Sequence, residues 1–505
     1  MGKIFTKTQL EQELKKIRKY KKIVLCHGVF DVVHYGHIKH FEAAKKFGDF
    51  LIVSLTRDKF IKKSIKGTAF NENQRQEFLS KLTFIDVVIL NDEESSEDII
   101  KLVKPNYYIK GSDYKNNKLD DTKKIYKEKK LVKKYGGKIE YTNELSFSSS
   151  KIINNNNYLY SNTQRIHLER VKKKLSFGQV KNLIEKKNKI TVSVIGELIF
   201  DIYNFGNVVG KSGKEPHLVM TKENKEILIG GSAAIAKNIS SFVHKVNLIS
   251  PFGYEKNYID ILDNQLPKNV KKIFNKPYES FGSIEKSRFV DQSSNYKLFG
   301  YYNLPTQSDL NFDKSYLMKV NKILNQSDLL IIADYGHNFL VGNILDIINK
   351  TKTFKTLNSQ INATSKGFSN LNKYNGINTI IINENELRQE LKNQTAEINT
   401  LGHRLIKNRN CKNLIVTSGH QGAKLFKKNV KNVFSCPAFS DYSVDKIGAG
   451  DAMLSIASYS MCAKFDSDLT LLLGSIAAAL TVKSIGNKTE IDKQVLLRTI
   501  KYMLK

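Results

Sequence analysis

Short apolar runs alternate with amphipathic stretches along the first third of the chain. Each run is rich in β-branched or aromatic residues and is followed by polar or glycine-containing residues, which is typical of buried strands. Residues 7–20 place Leu10, Leu14 and Ile17 on one face of a helix. The alternation predicts strands joined by helices, and therefore a parallel sheet. The predicted strands lie at 23–26, 50–53, 87–90, 107–109 and 138–142.

The same alternation returns in the second half of the chain. Its predicted strands include 190–195, 328–333, 379–382 and 414–416. Four asparagines at 154–157 have little side chain to bury and mark a boundary between the halves. The pattern predicts an α/β protein with two doubly wound domains. The predicted divisions are a first domain at 1–158, a linker at 159–187 and a second domain at 188–505.

Composition limits the class of protein. With 505 residues, 41% of them hydrophobic, the chain is long enough to form more than one core. Its four cysteines share no metal-ligand spacing, which favours a reduced, intracellular protein. The sequence starts without an apolar signal region, and its apolar runs are too short to span a bilayer. We therefore expect a cytoplasmic protein without a membrane partner.

The formal net charge of +32 would suit nucleic-acid binding. The lysines, however, are spread over nearly every predicted helix, and asparagine is abundant as well. A compositional bias toward lysine, asparagine and isoleucine explains the charge without nucleic acid as a main partner. Small anionic substrates such as nucleotides and sugar phosphates would benefit from the same field.

One stretch of ten residues, Gly28–His37, concentrates the candidate chemistry of the first half. It joins a predicted buried strand to a helix, so free backbone N–H groups and the positive end of the helix dipole favour phosphate there. His34 and His37, with Gly36 between them, place two imidazoles beside that phosphate. Imidazolium would stabilise charge on phosphorus or protonate a leaving pyrophosphate. A buried histidine-rich loop or a metal site is the alternative, and the full pattern favours nucleotidyl transfer.

This stretch resembles the HxGH nucleotidyltransferases of the cytidylyltransferase-like group. Further blocks extend the resemblance over roughly residues 20–155: a basic loop at 66–67, an arginine helix, a KGxDY block at 110–114 and a serine-rich turn at 148–150. Singly, these blocks are ordinary surface charges and a helix cap. The resemblance implies that His34 and His37 are catalytic. It implies nucleotide or phosphate contacts at Gly28, Phe30, Asp31, Lys66, Arg75, Lys110, Gly111, Asp113, Ser148 and Ser149.

The sharpest motif of the second half is Gly448-Ala449-Gly450-Asp451, which precedes an apolar helix. Successive N–H groups at the start of that helix suit a transferring phosphoryl group, and small residues let it approach the backbone. Asp451 then lies where it can take the proton of an acceptor hydroxyl. The alternative is a glycine turn with an ordinary helix-start charge.

With its neighbouring blocks, this motif resembles the ribokinase-like (PfkB-type) sugar kinases over roughly residues 188–495. The resemblance implies a catalytic base at Asp451 and an anion hole at Gly448, Ala449 and Gly450. It implies sugar contacts at Asp201, Gly230, Gly231 and Asn238. It implies magnesium and phosphate near Asn383 and Glu386, and ATP contacts at Thr417, Gly419 and Gly422. Residues 203–228 and 285–303 correspond to a β lid, which predicts a homodimer through that lid.

Three features depart from the kinase pattern. Glu197 stands where the family usually has Asp, and Lys446 replaces a small polar residue before the anion hole. Residues 357–360 lie where an Asp-Pro-Lys-like strand end is expected. The last departure leaves the acceptor sugar open.

Together the two halves resemble the bifunctional heptose kinase/nucleotidyltransferases of cell-surface polysaccharide synthesis, with the domains in reversed order. The resemblance implies phosphorylation of a sugar or sugar phosphate by ATP with Mg²⁺. It also implies nucleotidyl transfer from ATP or CTP to a sugar 1-phosphate, with release of pyrophosphate. Two alternatives stay open: an active nucleotidyltransferase beside a degenerate kinase scaffold, and a basic nucleic-acid-binding or regulatory protein.

Overall fold

The computed structural model divides into two compact units, one formed chiefly by Met1–Ser161 and the other chiefly by Asn162–Ile500. The residues that the structure describes are 2–61, 68–111, 124–142, 160–186, 189–275, 282–305, 312–360, 371–440 and 444–504. Across these ranges, every helix is too short or too polar to cross a membrane.

In its described residues, the first unit contains a six-stranded sheet and five α-helices. Its strands are β1 (Lys3–Ile4), β2 (Ile23–Gly28), β3 (Phe50–Thr56), β4 (Val87–Asn91), β5 (Tyr107–Gly111) and β6 (Lys138–Thr142). Its helices are α1 (Lys7–Ile17), α2 (Tyr35–Lys45), α3 (Glu72–Ser80), α4 (Glu97–Val103) and α5 (Lys124–Lys134). All strands pair in parallel, in the order β1-β4-β3-β2-β5-β6. The predicted doubly wound fold is confirmed for this unit.

The strand β2 lies at the centre of this sheet. Val24, Leu25 and Cys26 are completely buried, as expected for a strand covered on both faces. The chain adds β3 and β4 on one side of β2 and then crosses to add β5 on the other. Such a switch opens a crevice at the carboxyl end of the central strand, where ligands of open α/β sheets bind. The Gly28–His37 stretch begins at that end.

The second unit contains a larger sheet, a smaller sheet and the remaining helices. Its strands are β7 (Thr191–Gly196), β8 (Leu198–Lys211), β9 (Leu218–Gly231), β10 (Lys245–Pro251), β11 (Val270–Asn275), β12 (Ile284–Asp291), β13 (Lys297–Asn303), β14 (Leu329–Asp334), β15 (Phe354–Ser359), β16 (Thr379–Asn383), β17 (Asn413–Thr417), β18 (Ala423–Lys427) and β19 (Phe434–Cys436). The helices after the first unit's sheet are α6 (Asn162–Lys174), α7 (Phe177–Lys186), α8 (Ser232–Ser240), α9 (Lys256–Gln265), α10 (Lys314–Asn325), α11 (Gly342–Lys350), α12 (Glu384–Glu390), α13 (Ile398–Arg409), α14 (Ala449–Cys462), α15 (Ser467–Thr481) and α16 (Lys493–Met503).

The larger sheet has the order β11-β10-β7-β14-β15-β16-β17-β18-β19. Strands β11 to β17 are parallel, and β18 and β19 continue the sheet in antiparallel pairs. The chain leaves β7 toward β10 and later returns to the other side of β7 with β14, so a second switch point lies between β7 and β14. The predicted doubly wound fold is confirmed here as well.

The smaller sheet has the order β13-β12-β8-β9. Its strands overlap the two stretches predicted as a β lid. Because a single residue, Glu197, separates β7 from β8, the lid starts at the carboxyl edge of the larger sheet. The two sheets therefore meet at the edge where a ligand is expected.

The segment 159–187 carries α6 and α7 and packs on the second unit. Gln164 Nε2 donates a hydrogen bond to the Ala438 carbonyl at 2.6 Å. The hydroxyl of Tyr459 donates to the Ile184 carbonyl at 3.1 Å. Where the sequence predicts a linker at 159–187, the structure has two helices that belong to the second unit.

Candidate functional site

The Gly28–His37 stretch turns from the end of β2 into α2. A Cβ at Gly28 would lie 2.9 Å from the ring of Phe30, so a larger residue would displace that ring. Phe30 has a φ of +46°, which is uncommon outside glycine. Its ring packs edge-on against His37, with centroids 5.3 Å apart. This tight turn places the two histidines at the N-terminus of α2.

His34 caps α2 through its side chain. Its Nδ1 accepts the Gly36 N–H at 3.1 Å, so in the neutral ring the proton lies on Nε2. The ring of His37 stacks on that of His34, with centroids 4.0 Å apart. The structure therefore brings the two predicted catalytic residues together at the helix start.

Burial makes both imidazoles neutral at neutral pH. The pKa of His37 is lowered to about 3, first by burial and then by the nearby His34 and His40. Burial also lowers the pKa of His34. Lowered pKa values favour neutral rings in place of the imidazolium that the sequence suggests, and a neutral imidazole still offers one N–H donor. A bound triphosphate would raise both pKa values, because a nearby negative charge favours the protonated form.

A third histidine, His40, was missed by sequence reasoning. It lies one turn after His37 on α2, and its Nδ1 is 2.8 Å from the Thr142 hydroxyl at the end of β6. Burial, followed by the charge of Lys110, lowers the pKa of His40 to about 4. His34, His37 and His40 are spaced three residues apart, which places them along one face of a helix. This spacing is the sequence signal that would have identified His40.

Lys110 lies at the end of β5 and is paired inside the unit. Its Nζ is 3.2 Å from Glu128 Oε2, and both side chains are 8% exposed. Ser96 Oγ donates to the same carboxylate at 2.5 Å. Glu128 thus compensates much of the charge that the sequence assigned to a nucleotide phosphate. By contrast, a Cβ at Gly111 would meet no atom of the described residues within 4 Å.

Arg75 is buried inside the unit, with 1% of its surface exposed. Its guanidinium donates to Asp58 Oδ1 at 2.6 Å and to the Thr56 carbonyl at 3.0 Å. It also donates to the carbonyls of Phe70 and Val29. Almost no surface remains for the nucleotide contact that the sequence predicts. We now propose that Arg75 positions the histidine turn by tying Val29 to the end of β3.

Replacing Arg75 by Met is expected to destabilise the first unit by about 3 kcal/mol, because buried carbonyls and the Asp58 carboxylate lose their donor. Thermal unfolding measures this change. Arg57 is the matched control: its side chain is 31% exposed, and it pairs with the partly exposed Glu72 and Asp92. Arg57→Met should therefore cost about 1 kcal/mol or less. An Arg75→Met protein as stable as this control would contradict the positioning role.

Asp31 holds the chain segment that leads into α3. Its carboxylate accepts the N–H groups of Ala69 at 3.0 Å and Phe70 at 3.1 Å. This places Asp31 in the support of the histidine turn rather than in contact with its imidazoles. Four other predicted residues lie outside the described residues and stay predictions: Lys66, Asp113, Ser148 and Ser149.

The second candidate site lies at the N-terminus of α14. Gly448 precedes the helix with a φ of +84°, and a Cβ there would lie 1.9 Å from Asn487 Oδ1. A Cβ at Gly450 would meet no atom within 4 Å among the residues that the structure describes, so this glycine leaves space beside the helix start. The N–H groups of Ala449 and Gly450 belong to the first helical turn, where no intrahelical acceptor exists. The motif therefore forms an anion cradle with an open side.

Asp451 follows this cradle and is buried. Its Oδ1 accepts a hydrogen bond from the Tyr335 hydroxyl at 2.7 Å. The pKa of Asp451 is raised to about 6, mainly by burial, while the bond from Tyr335 and the charge of Lys286 oppose the rise. A carboxylate with this pKa is mostly ionised at neutral pH and is a stronger base than an exposed aspartate.

Glu197, between β7 and β8, anchors the loop after β14. Its buried carboxylate accepts the N–H groups of Tyr335 at 2.9 Å, His337 at 3.2 Å and Phe339 at 3.4 Å. Its pKa is raised to about 7, first by burial and then by Asp334. Glu197, which stands where the family usually has Asp, therefore fixes the backbone of the loop that carries Tyr335 to Asp451.

Two basic residues of β12 that sequence reasoning missed lie beside the predicted sugar residues. Arg288 Nη1 is 2.6 Å from Asp201 Oδ1, and both side chains are largely buried. Burial lowers the pKa of Lys286, and the nearby charges of Asp201 and Asp451 oppose that shift. Because the two are separated by one residue on a strand, they share a face of the lid.

The other predicted sugar residues shape this region. A Cβ at Gly230 would lie 2.2 Å from Asp201 Oδ2, so this glycine makes room for the carboxylate. Gly231 has a φ of +59°, and a Cβ there would lie 2.3 Å from the Glu197 carbonyl. Asn238 is buried on α8. Asp201, Gly230 and Gly231 are therefore neighbours. Asn238 lies on α8, the helix that begins directly after Gly231.

Asn383 and Glu386 form a capping box at the start of α12. The Asn383 side chain accepts the Glu386 N–H at 2.9 Å, and Glu386 Oε2 accepts the Asn383 N–H at 2.8 Å. Carboxylate oxygens suit Mg²⁺, which is usually held by one or two carboxylates together with substrate phosphates. In the described part of the chain, no cluster of three or more acidic, histidine or cysteine residues would hold a metal by itself. This donor set fits a magnesium ion bound mainly by ATP.

The predicted ATP-contact residues lie in the turn between β17 and β18. Thr417 ends β17, and Ser418 N–H donates to the Gly422 carbonyl at 2.8 Å. Gly422 has a φ of +92°, and a Cβ there would lie 2.1 Å from the Cys436 carbonyl. A Cβ at Gly419 would meet no atom within 4 Å in the described part of the chain. The turn therefore requires glycine at position 422, whereas Gly419 leaves the surface of the turn uncovered.

An ion pair connects the lid to the loop before the anion cradle. Lys297 Nζ of β13 is 2.6 Å from Asp445 Oδ1, and Asp445 also accepts the N–H groups of Ile447 and Gly486. Burial alone would raise the pKa of Asp445, but these partners hold it below its usual value. Lys446, which departs from the kinase pattern, is exposed beside this pair.

The third departure, at residues 357–360, supports the sheet edge. Asn358 Nδ2 donates to the Ile381 carbonyl at 2.8 Å, and the Gln360 N–H donates to the Asp334 carbonyl at 2.8 Å. These residues end β15 as predicted. Asn358 and Gln360 thus bond to neighbouring strands, and none of the four residues carries a positive charge for a substrate phosphate.

Family models match both parts of the chain. Residues 25–155 match the cytidylyltransferase-like family, and residues 189–494 match the pfkB family of carbohydrate kinases. A ribokinase from Thermotoga maritima is 15% identical, with a TM-score of 0.48, over 62% of this chain and 99% of its own.

Curated relatives match a smaller part. The bifunctional protein HldE of Campylobacter jejuni subsp. doylei is 41% identical over 155 residues, which are 30% of this chain and 31% of that protein. The bifunctional protein HldE of Aliarcobacter butzleri is 40% identical over 121 residues, 23% of this chain and 25% of that protein. The matched segment thus spans less than a third of each relative. The pfkB match covers more than half of the chain, and the chain therefore belongs to the pfkB family of carbohydrate kinases, with a cytidylyltransferase-like domain before the kinase domain.

Proposed function

We propose that this chain is a bifunctional enzyme of nucleotide-sugar synthesis. The nucleotidyltransferase is assigned to the domain at 1–158 and the sugar kinase to the domain at 188–505, in the reverse of the order in the bifunctional heptose enzymes. One observation carries the proposal: at the switch point of each sheet, a helix N-terminus suited to phosphate lies beside the groups that its reaction needs. These groups are the stacked His34 and His37 in one unit and Asp451 in the other.

In the kinase reaction, Asp451 takes the proton of a sugar hydroxyl, whose oxygen attacks the γ-phosphorus of ATP. The bond to ADP breaks as the new bond forms. The N–H groups at Gly448–Gly450 stabilise charge on the transferring group. Mg²⁺, when bound through the ATP phosphates near Asn383 and Glu386, neutralises negative charge.

In the nucleotidyl transfer, an oxygen of a sugar 1-phosphate attacks the α-phosphorus of ATP or CTP. The bond to pyrophosphate breaks, and a nucleoside diphosphate sugar forms. His34 and His37 donate N–H groups to the phosphate oxygens at the start of α2. The similarity to proteins named bifunctional protein HldE supports a heptose-like sugar as substrate.

We propose that the kinase acceptor carries an anionic group, because Lys286 and Arg288 lie on the lid face beside Asp201 and Asp451. Arg288→Met is expected to raise the KM for a phosphorylated sugar by roughly 10-fold to 100-fold, the usual size of a lost charge-assisted hydrogen bond. A neutral sugar should be affected less. Initial rates with matched phosphorylated and unphosphorylated acceptors measure the difference.

Arg288→Met also removes the ion-pair partner of Asp201. Arg288→Lys is the control, because lysine keeps a positive charge beside Asp201. If Arg288→Met lowers kcat/KM equally for phosphorylated and neutral acceptors, the arginine acts on Asp201 alone. That result would contradict an anionic acceptor at this face.

We also propose that the outer face of the lid forms a homodimer. Phe299 and Tyr301 of β13 are 59% and 55% exposed, and Val209 and Leu218 near the other edge are exposed as well. Exposed apolar groups of this kind mark interaction surfaces. Sedimentation velocity tests this proposal, and a monomer at micromolar concentration would contradict it.

The proposed function is tested by product analysis. The purified chain is incubated with Mg²⁺, ATP, CTP and a panel of hexoses, heptoses and their phosphates, and products are identified by mass spectrometry. We expect a phosphorylated sugar and a nucleoside diphosphate sugar. Conjugate formation without phosphorylation of any acceptor would leave only the nucleotidyltransferase. Neither product, together with tight retention of duplex DNA at moderate salt, would favour a nucleic-acid-binding protein.

A further inference from the structure

Tyr335 adds a contact to the kinase site that the motif around Asp451 does not include. Its hydroxyl donates to Asp451 Oδ1 at 2.7 Å, and both side chains are buried. Tyr335 follows β14, whereas Asp451 lies in the first turn of α14, 116 residues later. The contact therefore joins the switch point of the sheet to the helix that forms the anion cradle.

The loop that carries Tyr335 is held by its backbone. Its own N–H and those of His337 and Phe339 all donate to the buried Glu197 carboxylate. A phenol on a loop with three such bonds is a fixed point for its partner. Its bond to Oδ1 opposes rotation of the Asp451 carboxylate and leaves Oδ2 to take the proton of an acceptor hydroxyl.

We propose that Tyr335 is a positioning residue for the kinase base, holding the Asp451 carboxylate in one orientation and stabilising its ionised form. Its effect on the rate rests on the kinase function proposed above. Its effect on the carboxylate follows from the contact itself and is measurable without any substrate.

The charges around Asp451 agree with this role. Burial and Asp201 of β8 raise its pKa, while the Tyr335 hydroxyl and Lys286 of β12 lower it, and the resulting pKa is about 6. Burial also raises the pKa of Tyr335 well above its usual value. The phenol therefore keeps its proton and remains a donor over the working pH range. Because this bond favours the charged carboxylate, its removal should raise the pKa of Asp451.

The first test is a titration of Asp451 by ¹³C NMR in protein labelled only at aspartate carboxyl groups. Glu197, with a pKa of about 7, then gives no signal. Asp451→Asn identifies the resonance. In Tyr335→Phe, we expect the midpoint near pH 6 to rise by about one unit or more, a tenfold change in proton affinity.

Tyr459→Phe is the matched control, because it removes a buried phenol hydroxyl from α14 that bonds to the Ile184 carbonyl. This variant should leave the Asp451 midpoint unchanged. A reciprocal measurement leaves Tyr335 unchanged and uses wild-type protein labelled at tyrosine Cζ. The chemical shift of one tyrosine signal should change with pH at the Asp451 midpoint. In Asp451→Asn, this change should disappear.

The second test is kinetic and uses ADP release from MgATP with the best acceptor of the sugar panel. For Tyr335→Phe, we expect kcat to be about tenfold lower at pH 6 and within about threefold of wild type at pH 9, where the base is ionised in both proteins. The KM of the acceptor should change by about twofold or less, because Tyr335 acts on the base and leaves acceptor binding intact.

An Asp451 midpoint that is the same in Tyr335→Phe and wild type would overturn the proposal, as would the absence of a tyrosine signal that follows Asp451. An equal loss of rate at every pH would do so as well, because it indicates a merely structural defect. If the wild type phosphorylates no acceptor of the panel, the proposed kinase function fails, and the NMR titration still decides the role of Tyr335.

Discussion

Asp451→Asn is expected to abolish measurable phosphorylation, with a fall in kcat on the order of 10³ or more, as loss of a general base commonly produces. Asparagine has nearly the same shape and still accepts the hydrogen bond of Tyr335, but it does not take up the acceptor proton. In the wild type, the rate should rise as the pH increases through about 6, where Asp451 ionises. Initial rates of ADP release measure both effects.

Nucleotidyl transfer by the same Asp451→Asn protein is the internal control. His34 and His37 belong to the other unit, so pyrophosphate release from a supplied sugar 1-phosphate should stay near the wild-type rate. An Asp451→Asn enzyme that phosphorylates sugar at close to the wild-type rate would remove this residue from the role of base.

His37→Ala is expected to reduce nucleotidyl transfer by on the order of 10² or more, the usual effect of removing one transition-state donor. The side chain is fixed between the stacked ring of His34 and the edge of Phe30, so its N–H is already oriented when the nucleotide binds. Since the pKa of His37 is about 3, this donor role does not require a protonated ring before binding. Pyrophosphate release measures the change.

Kinase activity is the control for His37→Ala and should survive. Because the ring fills space against Phe30, thermal unfolding of the first unit should be followed in parallel. Transfer near the wild-type rate in a folded His37→Ala protein would show that the HxGH pattern has another purpose.

Both doubly wound sheets are predictable from the sequence, because parallel strands buried on two faces appear as continuous apolar runs. The runs at 23–26 and 328–333 are clear examples. The edge strand β1 has only two residues, too few to show a period. The asparagines at 154–157 suggest a boundary, so the sequence assigns 159–187 to a linker, whereas helix α6 belongs to the second unit in the structure.

The clustering of the glycines with the candidate residues His34, His37 and Asp451 is also predictable, because each set lies within one short motif. Their partners are not, because tertiary structure brings them from distant positions. Arg288 lies 87 residues after Asp201, and Tyr335 lies 116 residues before Asp451.

Burial likewise changes roles that the sequence suggests. Lys110 is a plausible phosphate ligand until Glu128 is found beside it. Arg75 is an ordinary helix arginine in the sequence, and in the structure it binds backbone carbonyls from two other segments.

The central claim is that one chain carries two independent transferase sites. It is tested most directly by measuring ADP release and pyrophosphate release separately in wild type, Asp451→Asn and His37→Ala, with Mg²⁺, ATP or CTP, and the sugars and sugar 1-phosphates of the panel. We predict both products from wild type, only pyrophosphate from Asp451→Asn and only ADP from His37→Ala. Loss of both products in either folded variant, or only one product from wild type, would contradict the claim.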